Sequence, residues 1–261
     1  MYIEPSWRIL TIGDGDLSFS LSLARHYRLR ELVATVLDSE DKLIEKYKSD
    51  NLARLNALGT QVMTEFDVTN PETWHELKQK QFDLVIFQFP LIPALGSTAA
   101  FQQSYGVNTL NRALLRHFLK HSFEHFLDPT GAALAYISSK DVKPYIEWDM
   151  ERSLHRGLDI RYLGKHEFQL DAFSGYRIRN VDRDKHVKDT LAFTHVWGRT
   201  EWSNPQLPLM KANEQIGDCC IICRAGPFET EQERRGHLSG KRHRRLAEFD
   251  KQWQYYLRQE K

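Results

Sequence analysis

The chain has 261 residues, 41% of them hydrophobic and 27% charged, with a formal net charge of +1. This is the balance of an ordinary globular protein; it excludes a disordered chain or a bilayer-embedded one and leaves room for one large domain with a small module beside it. The near-neutral total hides an asymmetry, because residues 234–245 (RRGHLSGKRHRR) hold six Arg or Lys and no acid, a local excess that marks either a nucleic-acid contact or a solvated basic helix.

In chain order, residues 8–24 read RILTIGDGDLSFSLSLA. Ile9, Leu10 and Ile12 suit a buried strand, Gly13 and Gly15 allow a sharp turn, and Leu17, Leu21 and Ala24 recur at helical spacing. Residues 31–37 are a second buried strand ending at Asp38, followed by one helix from 39 to 59 with Leu43, Ile44, Tyr47, Leu52, Leu55 and Leu58 as its stripe. A third strand is expected over 60–66, a short helix over 71–80, and a fourth strand over 82–89 that Pro90 stops. Helical periodicity covers 108–127, a fifth strand 132–137, a further helix 144–156, and two late strands 159–168 and 190–196. This alternation predicts an α/β, doubly wound, mostly parallel seven-stranded sheet ending in an antiparallel hairpin, since each parallel connection needs a crossover. Two aperiodic segments, 91–106 and 171–189, are long enough to suggest function. Residues 1–200 form the large domain, 201–215 the linker, with SNPQLPLMKA at 203–212, and 216–261 the small module.

The strand-loop-helix at the start is a cofactor site by its chemistry. Asp38, at the end of the second strand, is placed to accept from ribose hydroxyls, and Asp67, at the end of the third, from an adenine amino group. Position 18 is Ser18, so the dinucleotide fingerprint is incomplete. Asp14 and Asp16 would repel a pyrophosphate and attract a sulfonium with its ammonium group, which favours S-adenosylmethionine over NAD. The plain alternative is a tight turn with solvated aspartates.

Several short motifs in the same order resemble the Rossmann-like ribosomal RNA uridine-N3 methyltransferase family. They are GDGDLSFSLSLA at 13–24, LDSED at 37–41, FDLVIFQFP at 82–90, NRALLRHF at 111–118, SKDVKPYIEW at 139–148 and GYRIRN at 175–180. The resemblance implies a class I methyltransferase fold, S-adenosylmethionine as donor and a uridine N3 in structured RNA as acceptor. It also implies that Gln88, Phe89 and Pro90 hold the planar base, with Lys140, Asp141, Tyr176 and Arg177 near the acceptor. The family's corner is typically Asn-Phe-Pro, so Gln88 carries an extra methylene that moves the amide by about an ångström, a misplacement that can cost about 10²-fold in rate.

Near the C-terminus, Cys220, Cys223, His237 and His243 give C-x2-C-x13-H-x5-H. Two thiolates on a tight turn and two imidazoles on one helical region can close a tetrahedral zinc site. HLSGKRH resembles a U1- or matrin-type zinc finger, which implies a ββα-like unit with Phe228 as its small core and structured RNA as partner. Lys241, Arg242, Arg244 and Arg245 are its candidate phosphate contacts. Cys219 is the spare thiol, with C-x3-C from Cys219 to Cys223 as the less usual alternative ligand set. His117, His121 and His125 read as surface or core histidines, and Trp253, Tyr255, Tyr256 and Leu257 belong to a terminal helix that docks on something.

MYIEPSWRIL lacks the basic start and uninterrupted apolar run of a signal peptide. The most apolar stretch, 82–95, includes Asp83, Gln88, Pro90 and Pro93 and falls short of the roughly 20 residues that span a bilayer. The expectation is therefore a cytoplasmic protein, or a nuclear or nucleolar one in a eukaryote, with no membrane partner and an open oligomeric state. Ribosomal RNA is the first substrate candidate and transfer RNA the second. The rival readings are an inactive RNA-binding adaptor on a methyltransferase fold and a methyltransferase acting on a non-RNA substrate.

Overall fold

Strands β1 (Arg8–Ile12) and β4 (Leu84–Gln88) lie side by side in parallel, Ile9 against Leu84 and Leu10 against Val85. Ile9, Leu84 and Ile86 enter one buried cluster, while Leu10, Ile12, Val85 and Phe87 enter another on the opposite face. Burial on both faces explains why these strands read as continuous apolar runs. The other strands are β2 (Glu31–Thr35), β3 (Gln61–Met63), β5 (Leu134–Lys140), β6 (Ile160–Glu167) and β7 (Ala192–Arg199). The order is β3-β2-β1-β4-β5-β7-β6, and only β7 runs against the other strands, which gives the parallel sheet with a late antiparallel hairpin that the alternation of elements predicts. This is a computed structural model, and it describes residues 1–75, 77, 81–93, 105–179, 190–201, 205–212 and 217–260.

The helices are α1 (Ser18–His26), α2 (Glu40–Tyr47), α3 (Asn51–Ala57), α4 (Val107–His121), α5 (Met150–Ser153), α6 (Glu231–Ser239) and α7 (Lys241–Gln259). Several depart from the sequence reading for local reasons. The helix expected over 39–59 is two, α2 and α3, because Lys48 adopts φ 49° and Asn51 restarts the chain, its side-chain N–H donating to the Asp16 carbonyl at 2.8 Å. The third strand stops at Met63, and Glu65 turns the chain at φ 56°. The helix expected over 71–80 is a 3-10 turn at Pro71–Thr73, capped by the Asn70 side chain, and residues 76 and 78–80 of that expectation lie outside those described. Helix α4 passes into a π-helical turn at Ser122–Phe126, closed by Leu127 N–H on the Ser122 carbonyl. The helix expected over 144–156 is a 3-10 turn at Tyr145–Trp148 and then α5, parted by Asp149 at φ 48°.

Part of the expected linker is held against the sheet. Met210 and Lys165 exchange backbone hydrogen bonds of 2.8 and 2.9 Å, extending the edge at β6, and Leu207 and Leu209 join the core. Gly164 permits this approach, since a Cβ there would lie 2.6 Å from the Met210 carbonyl oxygen. Residues 202–204 and 213–216 of the linker, 94–104 of the first long segment and 180–189 of the second lie outside those described. Among the described residues no helix is long and apolar enough to cross a membrane.

The terminal helix docks on the large domain. Trp253 is fully buried, donates from Nε1 to the Ser153 carbonyl at 3.2 Å, and carries the Arg112 guanidinium over its ring at 4.7 Å. Arg116 pairs with Glu260, and Tyr256 Oη lies 3.0 Å from His117 Nε2.

Candidate functional site

A cavity of about 980 Å³ opens at the carboxyl ends of β1 to β4, above the junction of β1 and β4 where the strand order reverses. Ligands bind open α/β sheets at that position. Four loops wall it: Gly13–Asp16 after β1, Val36–Asp38 after β2, Phe66–Thr69 after β3 and Phe87–Pro93 after β4. Leu110, Ala113, Leu114 and His117 of α4 and residues 176–179 close the sides.

The β1 loop spends its carboxylates on its own helix. Ser20 N–H donates to Asp14 Oδ2 at 2.6 Å and Ser18 N–H to Asp16 Oδ1 at 3.1 Å, so the free N–H groups at the start of α1 are answered by protein. Asp14 is buried, and desolvation pushes its carboxyl up to about 7 against the pull of the Ser20 hydrogen bonds. Asp16 is paired with Arg179, Nε to Oδ2 at 2.7 Å. These contacts correct the reading of both groups as solvated or as open attractants for a cation. They keep the case against a pyrophosphate, because the donors such a group would need are already occupied. Gly13 sits at φ +59° with Phe87 2.8 Å from where a Cβ would be, so only glycine lets β1 and β4 diverge into the cavity here.

Ser18 is not among the lining residues and binds the Arg177 backbone, accepting from its N–H at 3.0 Å. It thereby holds the late loop across the β1 turn. Tyr176 lies edge-on to Phe19, ring centroids 5.2 Å apart, and burial holds its phenol well above the ordinary value. Arg177 is exposed on the cavity rim. Arg179 is tied to Asp16 and lies over Tyr47 at 5.6 Å.

Asp38 lines the mouth, where Lys46 Nζ reaches its Oδ2 at 3.0 Å. Asp67 accepts at Oδ1 from Thr69 N–H at 2.8 Å and Thr69 Oγ1 at 2.7 Å. Leu37, expected as a buried strand residue, is 47% exposed on the wall and offers an apolar seat.

The corner after β4 is the most informative part of the wall. Gln88 is 8% exposed, lines the cavity, and neither its Oε1 nor its Nε2 has a partner among the described residues. Such an amide is costly unless something else satisfies it. Phe89 takes φ 47° and lies edge-on to Phe168 at 5.3 Å, with its N–H on the Ser138 carbonyl at 3.0 Å, so the corner is fixed from behind. Pro90 follows on the wall. Lys140 and Asp141, at the end of β5, are not among the lining residues, and the Asp141 N–H binds the Leu191 carbonyl at 2.7 Å. Lys46, Tyr47, Leu37, Leu114 and His117 line the cavity without having been singled out for it. Their only sequence signal is position on faces that close over strand ends.

At the C-terminus, one donor atom from each of Cys220, Cys223, His237 and His243 lies within 4.8 Å of the others. His243 Nδ1 is 3.4 Å from Cys220 Sγ and 3.5 Å from Cys223 Sγ. A tetrahedral zinc ion with usual bond lengths spaces a sulfur and a nitrogen by roughly 3.5 Å, so these separations read as edges of a coordination shell. His237 Nε2 is buried without a partner among the described residues, which fits a ligand. The donor set is thus compatible with zinc. The expected hairpin is a single bridge, Cys220 with Ala225, and the two histidines sit on different helices, His237 on α6 and His243 on α7, joined at Gly240. Phe228 packs on the His237 ring at 5.1 Å. Arg245 pairs with Glu147, while Lys241, Arg242 and Arg244 are exposed and have no ion pair among the described residues.

Comparison with known proteins bears on residues that build this cavity. The uncharacterized Arabidopsis thaliana protein At4g26485 is 31% identical over 184 residues, covering 67% of this chain and 82% of that one. The Arabidopsis thaliana heavy metal-associated isoprenylated plant protein 41 is 29% identical over 187 residues, covering 69% of this chain and 34% of that much longer protein. Among solved structures, a protein in the NADB-Rossmann superfamily from Streptococcus agalactiae matches with a TM-score of 0.46 at 9% identity, over 97% of this chain and 92% of that one. The ribosomal protein L11 methylase from Lactobacillus delbrueckii subsp. bulgaricus matches with a TM-score of 0.43 at 9% identity, over 75% and 71%. Residues 10–180, which hold β1 to β4 and the late loop over them, match the family described as BMT5-like, rRNA (uridine-N3-)-methyltransferase BTM5-like. The chain therefore belongs to the BMT5-like rRNA (uridine-N3-)-methyltransferase family, and is an S-adenosylmethionine-dependent methyltransferase acting on RNA.

Proposed function

We propose that the cavity holds S-adenosylmethionine over the β1 loop and that the Gln88-Phe89-Pro90 corner presents a ribosomal RNA uridine so that its N3 takes the methyl group. The observation that carries this reading is Gln88: a buried amide with both polar atoms unanswered among the described residues, on the wall of a cavity whose other polar groups are largely paired. The Asp38 carboxylate on the wall suits a ribose hydroxyl, Asp67 and the apolar seat of Leu37 and Val68 suit the adenine, and Phe89 and Pro90 suit a planar base.

S-adenosylmethionine supplies an electrophilic methyl on a sulfonium. In the transfer, the uridine N3–H proton leaves to solvent, the N3–carbon bond forms and the carbon–sulfur bond breaks, leaving S-adenosylhomocysteine. The protein's task is alignment and relief of the negative charge that deprotonation spreads over the two flanking carbonyl oxygens. Gln88 Nε2 can donate to one of them, which favours the deprotonated ring without a strong base. Arg177 on the rim and the exposed Lys241, Arg242 and Arg244 offer charge to RNA phosphates. In this reading the Cys220, Cys223, His237 and His243 zinc site orders the module that carries them. Ribosomal RNA ranks before transfer RNA as substrate, and the site of action is where ribosomal RNA is made or assembled.

Nucleoside mass spectrometry after incubation of unmodified ribosomal RNA with the protein and S-adenosylmethionine tests the assignment. Formation of 3-methyluridine by the wild type and its loss in Gln88→Leu is the expected result. Methylation of another nucleoside overturns the acceptor assignment, and cofactor binding with no transfer to any RNA favours the adaptor.

A further inference from the structure

The C-terminal module touches the large domain at several points, one of which, His117, is on the cavity wall. Arg224 follows the ligand Cys223 directly and takes φ 54°; its guanidinium reaches Asp149 Oδ1 and Glu151 Oε2, each at 3.0 Å. Arg152 donates back to the Ile221 carbonyl inside the Cys-x2-Cys turn, and Arg245 pairs with Glu147. One end of the module is therefore clasped to residues 147–152 by ion pairs that include a carboxylate only 8% exposed. Past the ligand His243, α7 runs along α4, with Trp253 buried beneath Arg112 and Arg116 paired with Glu260. Between these two anchors Tyr256 Oη meets His117 Nε2 at 3.0 Å, and His117 lines the cavity together with Leu114, near enough to Asp67 to feel its charge.

We propose that Tyr256 is a positioning residue for the methyl-donor pocket: its hydroxyl fixes the ring of His117 at the adenine end, and the zinc-bound turn, clasped through Arg224, holds the helix that carries it. This extends the reading above and rests on the cavity holding S-adenosylmethionine. Two physical points support it. An imidazole pinned at one nitrogen has its orientation set, which leaves the other face of the ring to complete a wall with Leu114. A helix fixed at both ends, by a metal ligand at its start and an ion pair at its finish, loses less on ordering Tyr256 than a free terminus would. The C-terminal module then serves the donor as well as the RNA.

The test is calorimetric binding of S-adenosylhomocysteine to the full-length, zinc-loaded protein. Wild-type binding with a weakening of about fivefold in Tyr256→Phe is the expected outcome, the loss of about one hydrogen bond. Kinetically this should raise the KM for S-adenosylmethionine by a similar factor while kcat at saturation stays within twofold. In the double variant with His117→Ala, Tyr256→Phe should add no further loss, because the two act as one unit. Chelation of zinc, and separately Arg224→Ala, should weaken the same binding by at least the factor seen for Tyr256→Phe. Unchanged affinity in Tyr256→Phe, or a loss that adds fully to that of His117→Ala, overturns the proposal. Absence of binding by the wild type is a different result, and it overturns the donor assignment itself.

Discussion

The loop after β1 and the corner after β4 face each other across one cavity and treat their polar groups in opposite ways. Asp14 and Asp16 are fully engaged, by the first amides of α1 and by Arg179. Gln88 is equally buried and engaged by nothing among the described residues. The first loop therefore builds the cavity and the second reads what enters it. A buried polar group that its own fold satisfies contributes to stability, while one left open costs stability until a ligand answers it.

The contrast predicts that the two loops fail differently when altered. Gln88→Leu should lower methyl transfer by about 10² to 10³-fold, the scale for removing one donor aimed at developing charge. Its melting temperature should be equal to the wild type or higher, because an unanswered amide has gone. Gln88→Asn, the residue typical of the resembled family, should retain transfer and shift its rate by no more than about 10²-fold in either direction. Steady-state kinetics and thermal melts on the same preparations check all of this, and a destabilised, fully active Gln88→Leu would break the comparison. Asp14→Ala should show the opposite pattern. It strands the Ser20 amide beneath the loop and should cost about 1 to 3 kcal/mol in denaturant unfolding, with cofactor binding affected only as far as the loop loosens.

How much of this was legible beforehand follows the same division. The mostly parallel seven-stranded sheet and its antiparallel ending follow from apolar runs separated by crossovers, because hydrophobic patterning is a local property of the sequence. The breaks at Lys48 and Asp149 are not legible, since each depends on a left-handed residue that tertiary partners stabilise: Asn51 on the Asp16 carbonyl, and Arg152 and Arg224 on the Asp149 carboxylate. The glycines of the β1 loop and Asp38, which the motif marks, line the cavity. Their neighbours Asp14 and Asp16 were misread because sequence shows a charge and not its partner, and Arg179 is 163 positions from Asp16. Lys140 and Asp141 sit at a strand end as the motif requires, yet β5 lies one strand beyond β4 and neither residue is among those that line the cavity. The role of α7 had a weak signal, four aromatic or apolar residues on a charged helix, which announces docking without naming the surface.

A smaller effect separates the two loops by pH. Asp14 titrates near 7 in the fold and near 3.8 when unfolded, with desolvation as the main cause and the neighbouring Asp16 carboxylate adding to it. Between those values the folded protein holds a proton that the unfolded chain releases, so this group makes stability fall as pH rises. Its contribution is complete below about pH 3.8 and lost by the time the pH has risen through about 7. Asp14→Asn keeps an acceptor for the Ser20 amide and removes the titration. The stability difference, wild type minus Asp14→Asn, should therefore decline from pH 4 to pH 8 in parallel denaturant titrations. A flat difference would mean that the carboxylate is charged throughout and that the loop is wetter than its burial implies.

The smallest expected effect carries the same rule to the basic module. Arg245 is engaged by Glu147, whereas Arg244, its neighbour in sequence, is exposed with no ion pair among the described residues. If paired groups build and open ones read, then of these two neighbours only Arg244 contributes to phosphate binding. Arg244→Ala should then weaken affinity for a ribosomal RNA fragment by a few-fold and reduce the slope of log affinity against log salt by about 0.7 to 0.9, one phosphate contact. Arg245→Ala should leave that slope unchanged and act, if at all, through the seat of α7 on the large domain. Binding titrations at several salt concentrations distinguish the two. Equal changes in slope for both variants would show that the Glu147 pair opens on RNA, making Arg245 a group that changes partners when RNA binds.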